Sequence, residues 1–325
     1  LIKLKKIIPT TDFDFFDKNN FYIHIFCIQP QHSRVLIRKI LKKNLKKNNH
    51  FIGFWPWELS KWPDIWHKDL QLIDELWCLS KFIYNSIPPV NFPLKKFVIS
   101  PGFRLKKEIK NGNHNKVSKF IFSYDPRSKY KRKNPKGVLF AFWNAFGFPF
   151  DKNLDIYNKN VKLTIKLINT PAISNGIERF KKLINLDKRI TIIKENLVYK
   201  DLIELYKNHD CYISLHKSEG FGNAIAENLI IGNEVITTYY SGEKDFCSED
   251  NAHLIDFHFE NVGNDYPHSS NSDIWAVPNI KMAAEKMQNL ANGTERKNIS
   301  GPTIDFSIIS FKKRIIKRID SINCL

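Results

Sequence analysis

Short apolar runs alternate with amphipathic stretches of helical period along the whole chain. Residues 22–28 (YIHIFCI) read as a buried strand and 35–47 as a basic helix. Residues 51–57 (FIGFWPW) read as a strand running into a loop, because Gly53 and Pro56 interrupt the apolar run. The first half continues with a helix over 63–73, a strand over 75–79, a helix over 81–86 capped by Ser80, and a strand over 96–100. The second half predicts strands over 120–124, 162–168, 190–193, 211–215 and 234–237. Helices are expected over 135–146, 176–186, 197–207 and 224–231, and residues 306–319 form a basic amphipathic helix. Such alternation predicts an α/β fold, with parallel sheets covered by helices on both faces.

Residues 104–118 are polar, with Lys, Asn and Gly, the composition of a linker between domains. A chain of 325 residues, 42% of them hydrophobic, is too long for one ordinary core and long enough for two. The expected division is 1–103, 104–305 and a terminal helix, 306–325.

The formal charge is +18. Charge of that size suits a nucleic-acid partner, a phosphate-bearing substrate or an anionic membrane surface. The basic residues are spread over the whole chain, which fits the codon bias of an AT-rich genome better than a dedicated nucleic-acid face. The five cysteines (Cys27, Cys78, Cys211, Cys247 and Cys324) are scattered, with no C-x-x-C pair and no zinc-like spacing. A reduced, cytoplasmic setting follows as the expectation. The sequons at Asn292 and Asn298 carry no weight without a secretory signal, and none is seen. No apolar run approaches the roughly 18 residues of a membrane-spanning helix. The chain begins with Leu1, and its N-terminus is expected to have been cut away.

The chemistry is concentrated in residues 211–227 (CYISLHKSEGFGNAIAE). An apolar strand ends at Leu215, a loop with Gly220 and Gly222 follows, and a helix begins near Asn223. Ligands of open parallel sheets bind in the loops at the carboxyl ends of strands. A helix start offers unpaired amides and a positive dipole end, both suited to phosphate, and glycines let the backbone approach a bulky anion. Glu219 and Glu227, eight residues apart, flank that helix start. As hydroxyl acceptors they fit a ligand with hydroxyls on both sides of a diphosphate, the layout of a nucleotide-sugar.

The segment HKSEGFGNAIAENLIIGNEVITTYYSGEKDF resembles the donor-site segment of retaining glycosyltransferases of family 4, which have the GT-B fold. The matching residues are Glu219, Gly220, Phe221, Gly222, Glu227, Gly232, Ser241, Gly242, Asp245 and Phe246. Residues 53–66 (GFWPWELSKWPDIW) resemble the W-x-W-E-L loop of one bacterial branch, and 74–82 the strand that follows it there. Arg132-Lys133-Asn134-Pro135 is similar to the R-K-N-P motif of that branch, and residues 251–257 and 275–278 to later segments. The resemblance runs in order through nearly the whole chain.

The resemblance implies two Rossmann-like domains with parallel sheets facing a central cleft. The first would be the acceptor-side domain, the second would bind the nucleotide-sugar, and the terminal helix would return to the first. It implies that the backbone of Gly220, Phe221 and Gly222, with Asn223 at the helix start, touches the donor. Glu219 would hold sugar hydroxyls and Glu227 the ribose. Lys133 and Arg127, six residues apart, would grip the phosphates, or are surface charges. Glu58, beside Trp57, either orients the acceptor hydroxyl or donor sugar, or is a carboxylate at a helix start. His216 either bonds the donor or satisfies the loop backbone. Trp55, Trp62 and Trp66 are core residues or sugar platforms.

The implied activity is transfer of a hexose, mannose or glucose, with retained configuration from a nucleoside-diphosphate sugar to a polysaccharide, lipopolysaccharide or other glycan acceptor. No metal or other cofactor is expected, and no second carboxylate stands out as a glycosidase-type nucleophile. Localisation is expected to be cytoplasmic, with peripheral contact to the inner, anionic membrane face as an option. The sequence departs from the family in two places. The Gly-rich loop after the first strand is missing, and the W-A-E-P-D segment reads Trp275-Ala276-Val277-Pro278-Asn279. The alternatives are a sugar phosphorylase, a degenerate nucleotide-sugar-binding GT-B protein, and a nucleic-acid-binding protein.

Overall fold

The computed structural model describes residues 21–42, 49–106, 116–149, 158–168, 181–182, 184–297 and 301–322. The chain divides into two compact units, residues 1–104 with 306–325, and residues 105–305. The end of the 35–47 helix, most of the linker, Asn298 and much of the 176–186 helix lie outside the described residues.

In the first unit, β1 (Tyr22–Phe26), β2 (Asn49–Gly53), β3 (Glu75–Cys78) and β4 (Lys95–Val98) form a parallel sheet in that order. Helix α1 (Pro30–Lys42) starts five residues earlier than its apolar period suggests. Ser33, which reads as polar, is buried against the indole N–H of Trp55, 2.9 Å away. Residues 64–72 wind as a 3-10 helix rather than an α-helix. Helix α2 (Lys81–Ser86) is capped by Ser80, whose hydroxyl accepts from the Ile83 amide at 3.2 Å.

Trp55, Trp57, Trp62 and Trp66 are all buried and stack in one cluster, with centroids 5.1–6.3 Å apart. Trp55, Trp62 and Trp66 are therefore core residues. On the other face of the sheet, Ile319 and Ile322 of the terminal helix (Ile308–Ile322) pack with Ile52, Trp77 and Ile99. Arg318 of that helix donates to the fully buried Glu75 and lies 3.9 Å from the centre of the Phe97 ring.

The second unit holds a six-stranded, all-parallel sheet. Its strands are β5 (Lys119–Tyr124), β6 (Lys162–Leu167), β7 (Ile190–Ile193), β8 (Cys211–Ser214), β9 (Glu234–Thr238) and β10 (His253–Ile255). Their spatial order is β10-β9-β8-β5-β6-β7. The chain lays β5, β6 and β7 outward in one direction, then returns to place β8 on the other side of β5. Strands β5 and β8 therefore flank the topological switch point, where ligands of doubly wound sheets bind. Helix α3 (Tyr130–Lys133) and α4 (Pro135–Phe146) follow β5, α5 (Tyr199–Lys207) precedes β8, and α6 (Asn223–Ile230) follows it. Phe120, Phe122, Phe142, Trp143, Phe146, Leu163, Ile213 and Leu290 build the largest core. An antiparallel pair, β11 (Phe257–Asn261) and β12 (Ile274–Pro278), and helix α7 (Ile280–Asn292) complete this unit.

Candidate functional site

The loops after β5 and β8 are stitched together at the switch point. Asn134 sits in the left-handed region, at φ 52° and ψ 48°, which ends α3 and starts α4 within one residue. Its side chain caps α4 by accepting from the Gly137 amide at 3.1 Å, and donates to the Leu215 carbonyl at 2.8 Å. The Lys217 amide donates to the Arg132 carbonyl, also at 2.8 Å. The R-K-N-P sequence thus makes a tight two-helix corner that aims Arg132 and Lys133 at the end of β8.

Both cations reach Glu219. The Arg132 guanidinium lies 3.1 Å from Oε1 and also donates to the Ser218 carbonyl at 2.7 Å. Lys133 Nζ donates to the same Oε1. Glu219 is 8% exposed and Arg132 3%. Burial alone raises the Glu219 carboxyl, but the charges of Arg132 and Lys133 more than offset it and hold the group at about 2. Arg132 also lies over the Tyr266 ring, whose centre is 5.7 Å from the guanidinium carbon.

The Glu219 backbone is pinned on both sides. Its amide donates to the Ser241 hydroxyl at 2.8 Å, and its carbonyl accepts from the Gly242 amide at 3.0 Å. A Cβ on Gly242 would stand 2.3 Å from the Gly220 carbonyl oxygen, so only glycine allows these loops to meet. Gly222 has φ +95° and serves as N-cap of α6, a conformation that favours glycine. The Phe221 side chain is buried against Phe246, at 4.9 Å between centroids. Asn223, exposed, is the first helical residue, where amides lack partners four residues back.

Glu227 lies one turn into α6 and is buried, and no Lys or Arg among the described residues pairs with it. Burial pushes its carboxyl up to about 7, against the opposing pull of a hydrogen bond from the Tyr199 hydroxyl. The two acids of the E-x7-E spacing therefore sit in opposite electrostatic settings on either side of one helix start.

Three further sequence-predicted residues have surroundings of their own. The Arg127 side chain is 62% exposed and forms a two-pronged pair with Asp125, at 2.7 and 3.0 Å. Glu58 belongs to the first unit, half-buried between Trp57 and Leu59. His216 is fully buried. Its Nδ1 is 3.0 Å from Ser214 Oγ and its Nε2 3.1 Å from Glu243 Oε2, so both ring nitrogens are already bonded within the protein. The sequence assigns a role to Lys133 and none to its neighbour Arg132. Adjacent Arg and Lys look alike in sequence, and only the corner at Asn134 brings both to Glu219. Among the described residues, no group of three or more His, Cys, Asp or Glu could hold a metal ion.

The fold is that of the GT-B glycosyltransferases. The pneumococcal O-GlcNAc transferase GtfA, solved with UDP and GlcNAc, aligns with 92% of this chain at a TM-score of 0.62 and 13% identity. The lipopolysaccharide outer core galactosyltransferase WaaB aligns at 0.58 and 13% identity, and Anabaena HepE, solved with UDP and glucose, at 0.59 and 12%. These alignments take in 56% of GtfA, 75% of WaaB and 76% of HepE, with 92% and 90% of this chain in the last two. The chain thus spans little more than half the length of GtfA, and 51% of a TarM variant from S. aureus. No protein-family profile and no curated protein sequence matches it.

Proposed function

We propose that the second unit binds a nucleoside-diphosphate sugar at the loops after β5 and β8, and that the chain is a retaining hexosyltransferase acting on a glycan acceptor. One observation carries this reading: at the switch point of the sheet, a buried carboxylate is held between Arg132 and Lys133, directly before a glycine-started helix. Glu219 would accept hydroxyls of the sugar. Lys133, Arg132 and the amides at the start of α6 would face the diphosphate and stabilise the charge that grows as the glycosidic bond breaks. Glu227, on the other side of the helix start, would accept a ribose hydroxyl. The departing diphosphate, on the same face as the incoming acceptor, would take the acceptor's proton. The fixed cations supply the charge that a metal would otherwise bring, so transfer is expected to survive chelation by EDTA.

The test is incubation with UDP-, GDP- and ADP-sugars, following release of free nucleoside diphosphate. UDP compounds come first, because the GtfA and HepE structures contain UDP. Glu219→Gln should cut release at least about 100-fold, the scale of losing one transition-state hydrogen-bond partner, while leaving the thermal melt near wild type. Binding without release in the wild-type chain would support a degenerate nucleotide-sugar-binding protein instead. Wild-type turnover in both Glu219→Gln and Lys133→Ala would end the site assignment.

A further inference from the structure

We infer that Glu243 is a positioning residue for Glu219, acting through Ser241 and His216; this rests on the donor-site reading above. Glu243 lies in the 3-10 turn after β9 (Gly242–Asp245), and its side chain is fully buried. A buried carboxylate is costly unless donors surround it. No Lys or Arg among the described residues pairs with it. Its donors are instead the amides of Tyr240 and Ser241, 2.7 and 2.6 Å from Oε1, and the Ser241 hydroxyl and His216 Nε2, 2.8 and 3.1 Å from Oε2.

That arrangement sets the polarity of the Ser241 hydroxyl. Its single hydrogen points at Glu243, so its oxygen is left to accept from the Glu219 amide. The same logic fixes the His216 ring: Nε2–H donates to Glu243, and Nδ1 accepts from the Ser214 hydroxyl. One carboxylate therefore locks both ends of the segment 216–219. It holds the ring at the end of β8 and, through Ser241, the backbone of the residue assigned to the sugar. With the Glu219 backbone fixed, Arg132 and Lys133 have only a side chain to orient. An amide at position 243 cannot accept at both oxygens. It must turn an NH2 toward Ser241 and His216 and reverse those bonds.

A role in placing Glu219 predicts a particular pattern of lost affinity. Glu219 faces the sugar, not the nucleotide, so Glu243→Gln and Ser241→Ala should each weaken binding of the nucleotide-sugar by roughly tenfold, with binding of the bare nucleoside diphosphate unchanged. The measurement is calorimetric titration of UDP-glucose and UDP, or of the GDP or ADP pair if the wild type prefers it. Glu219→Ala should show the same selective loss, and Glu219→Ala combined with Glu243→Gln should lose little more than Glu219→Ala alone. If either Glu243→Gln or Ser241→Ala weakens both ligands equally, the network is only structural and the inference falls. Unchanged binding of both ligands in Glu243→Gln sinks it as well. A wild-type chain that binds none of the three nucleoside diphosphates overturns the donor-site reading, and this inference with it.

Discussion

Glu219 and Glu227 are the same residue type in the same segment, yet their surroundings drive their protons in opposite directions. Glu227 binds its proton more tightly in the fold than in the unfolded chain, at about 7 against an ordinary 4.5. Its stabilising share is complete below pH 4.5 and is lost as pH rises through about 7. Glu227→Gln removes this dependence. Its stability relative to wild type should therefore improve between roughly pH 5 and pH 8, by on the order of 3 kcal/mol at the upper end. Urea melts across that range will check it, and a constant difference between the two proteins would refute it. Glu219, held at about 2, contributes in the opposite sense: its share is present above pH 4.5 and lost as pH falls through about 2. The spacing of these two acids is legible in the sequence, because strand, glycines and helix start all mark the segment. Their opposite environments are not, since Lys133 comes from 86 residues away and Arg132 stands beside it. Glu243 is hidden in a similar way, because the His216 ring it holds lies 27 residues earlier, on another loop.

Loops and helices carry a second set of expectations. Gly242→Ala forces a methyl group onto the Gly220 carbonyl and should cost about 1–3 kcal/mol, the range for overpacking, with donor binding lost alongside; thermal melting and titration will show both. In the first unit, burial raises the Glu75 carboxyl, while hydrogen bonds from Arg318 and Trp77 and the nearby His50 ring more than offset it and hold it at about 2. Arg318→Ala strips away that cation and should destabilise by about 3–5 kcal/mol, read by chemical denaturation. The outer face of the terminal helix shows Ile309, Lys312, Lys313, Ile316 and Lys317 exposed. If it meets anionic lipid, co-sedimentation with phosphatidylglycerol vesicles should exceed that with phosphatidylcholine and fall in Lys312→Glu with Lys313→Glu.

Most strands are readable because buried parallel strands are continuous apolar runs. Elements missed by the pattern have weak patterns. Strand β10 has only three residues, β11 (FHFEN) is mostly exposed, and the inward face of α7 is made partly of Ala283 and Ala284. The 3-10 winding of residues 64–72 shares its apolar spacing with an α-helix, so periodicity does not separate them.

At the scale of the whole molecule, the two-unit division and the charge make separate demands. Hydrogen exchange with and without nucleoside diphosphate should show protection in the second unit concentrated at residues 130–134 and 215–230. Uniform protection across that unit would argue against a local site. The +18 charge predicts salt-sensitive, sequence-independent adsorption to nucleic acid; retention of tight binding as salt rises would revive the nucleic-acid reading. A polar stretch near residue 104 is visible in the sequence as a break, and the alternation of strands and helices gives the fold class. Which unit the terminal helix covers comes from the resemblance and not from its period: an amphipathic pattern shows that a helix has a face to bury, not where.

That helix has a consequence for how the molecule is made. Ile319, Ile322 and Arg318 complete a sheet whose strands emerge from the ribosome some two hundred residues earlier. The second unit can close its core while the first still shows Ile52 and Trp77 to solvent and leaves the Glu75 carboxylate without its arginine. The half synthesised first is thus the half that finishes last, and during translation it is the half most in need of a chaperone.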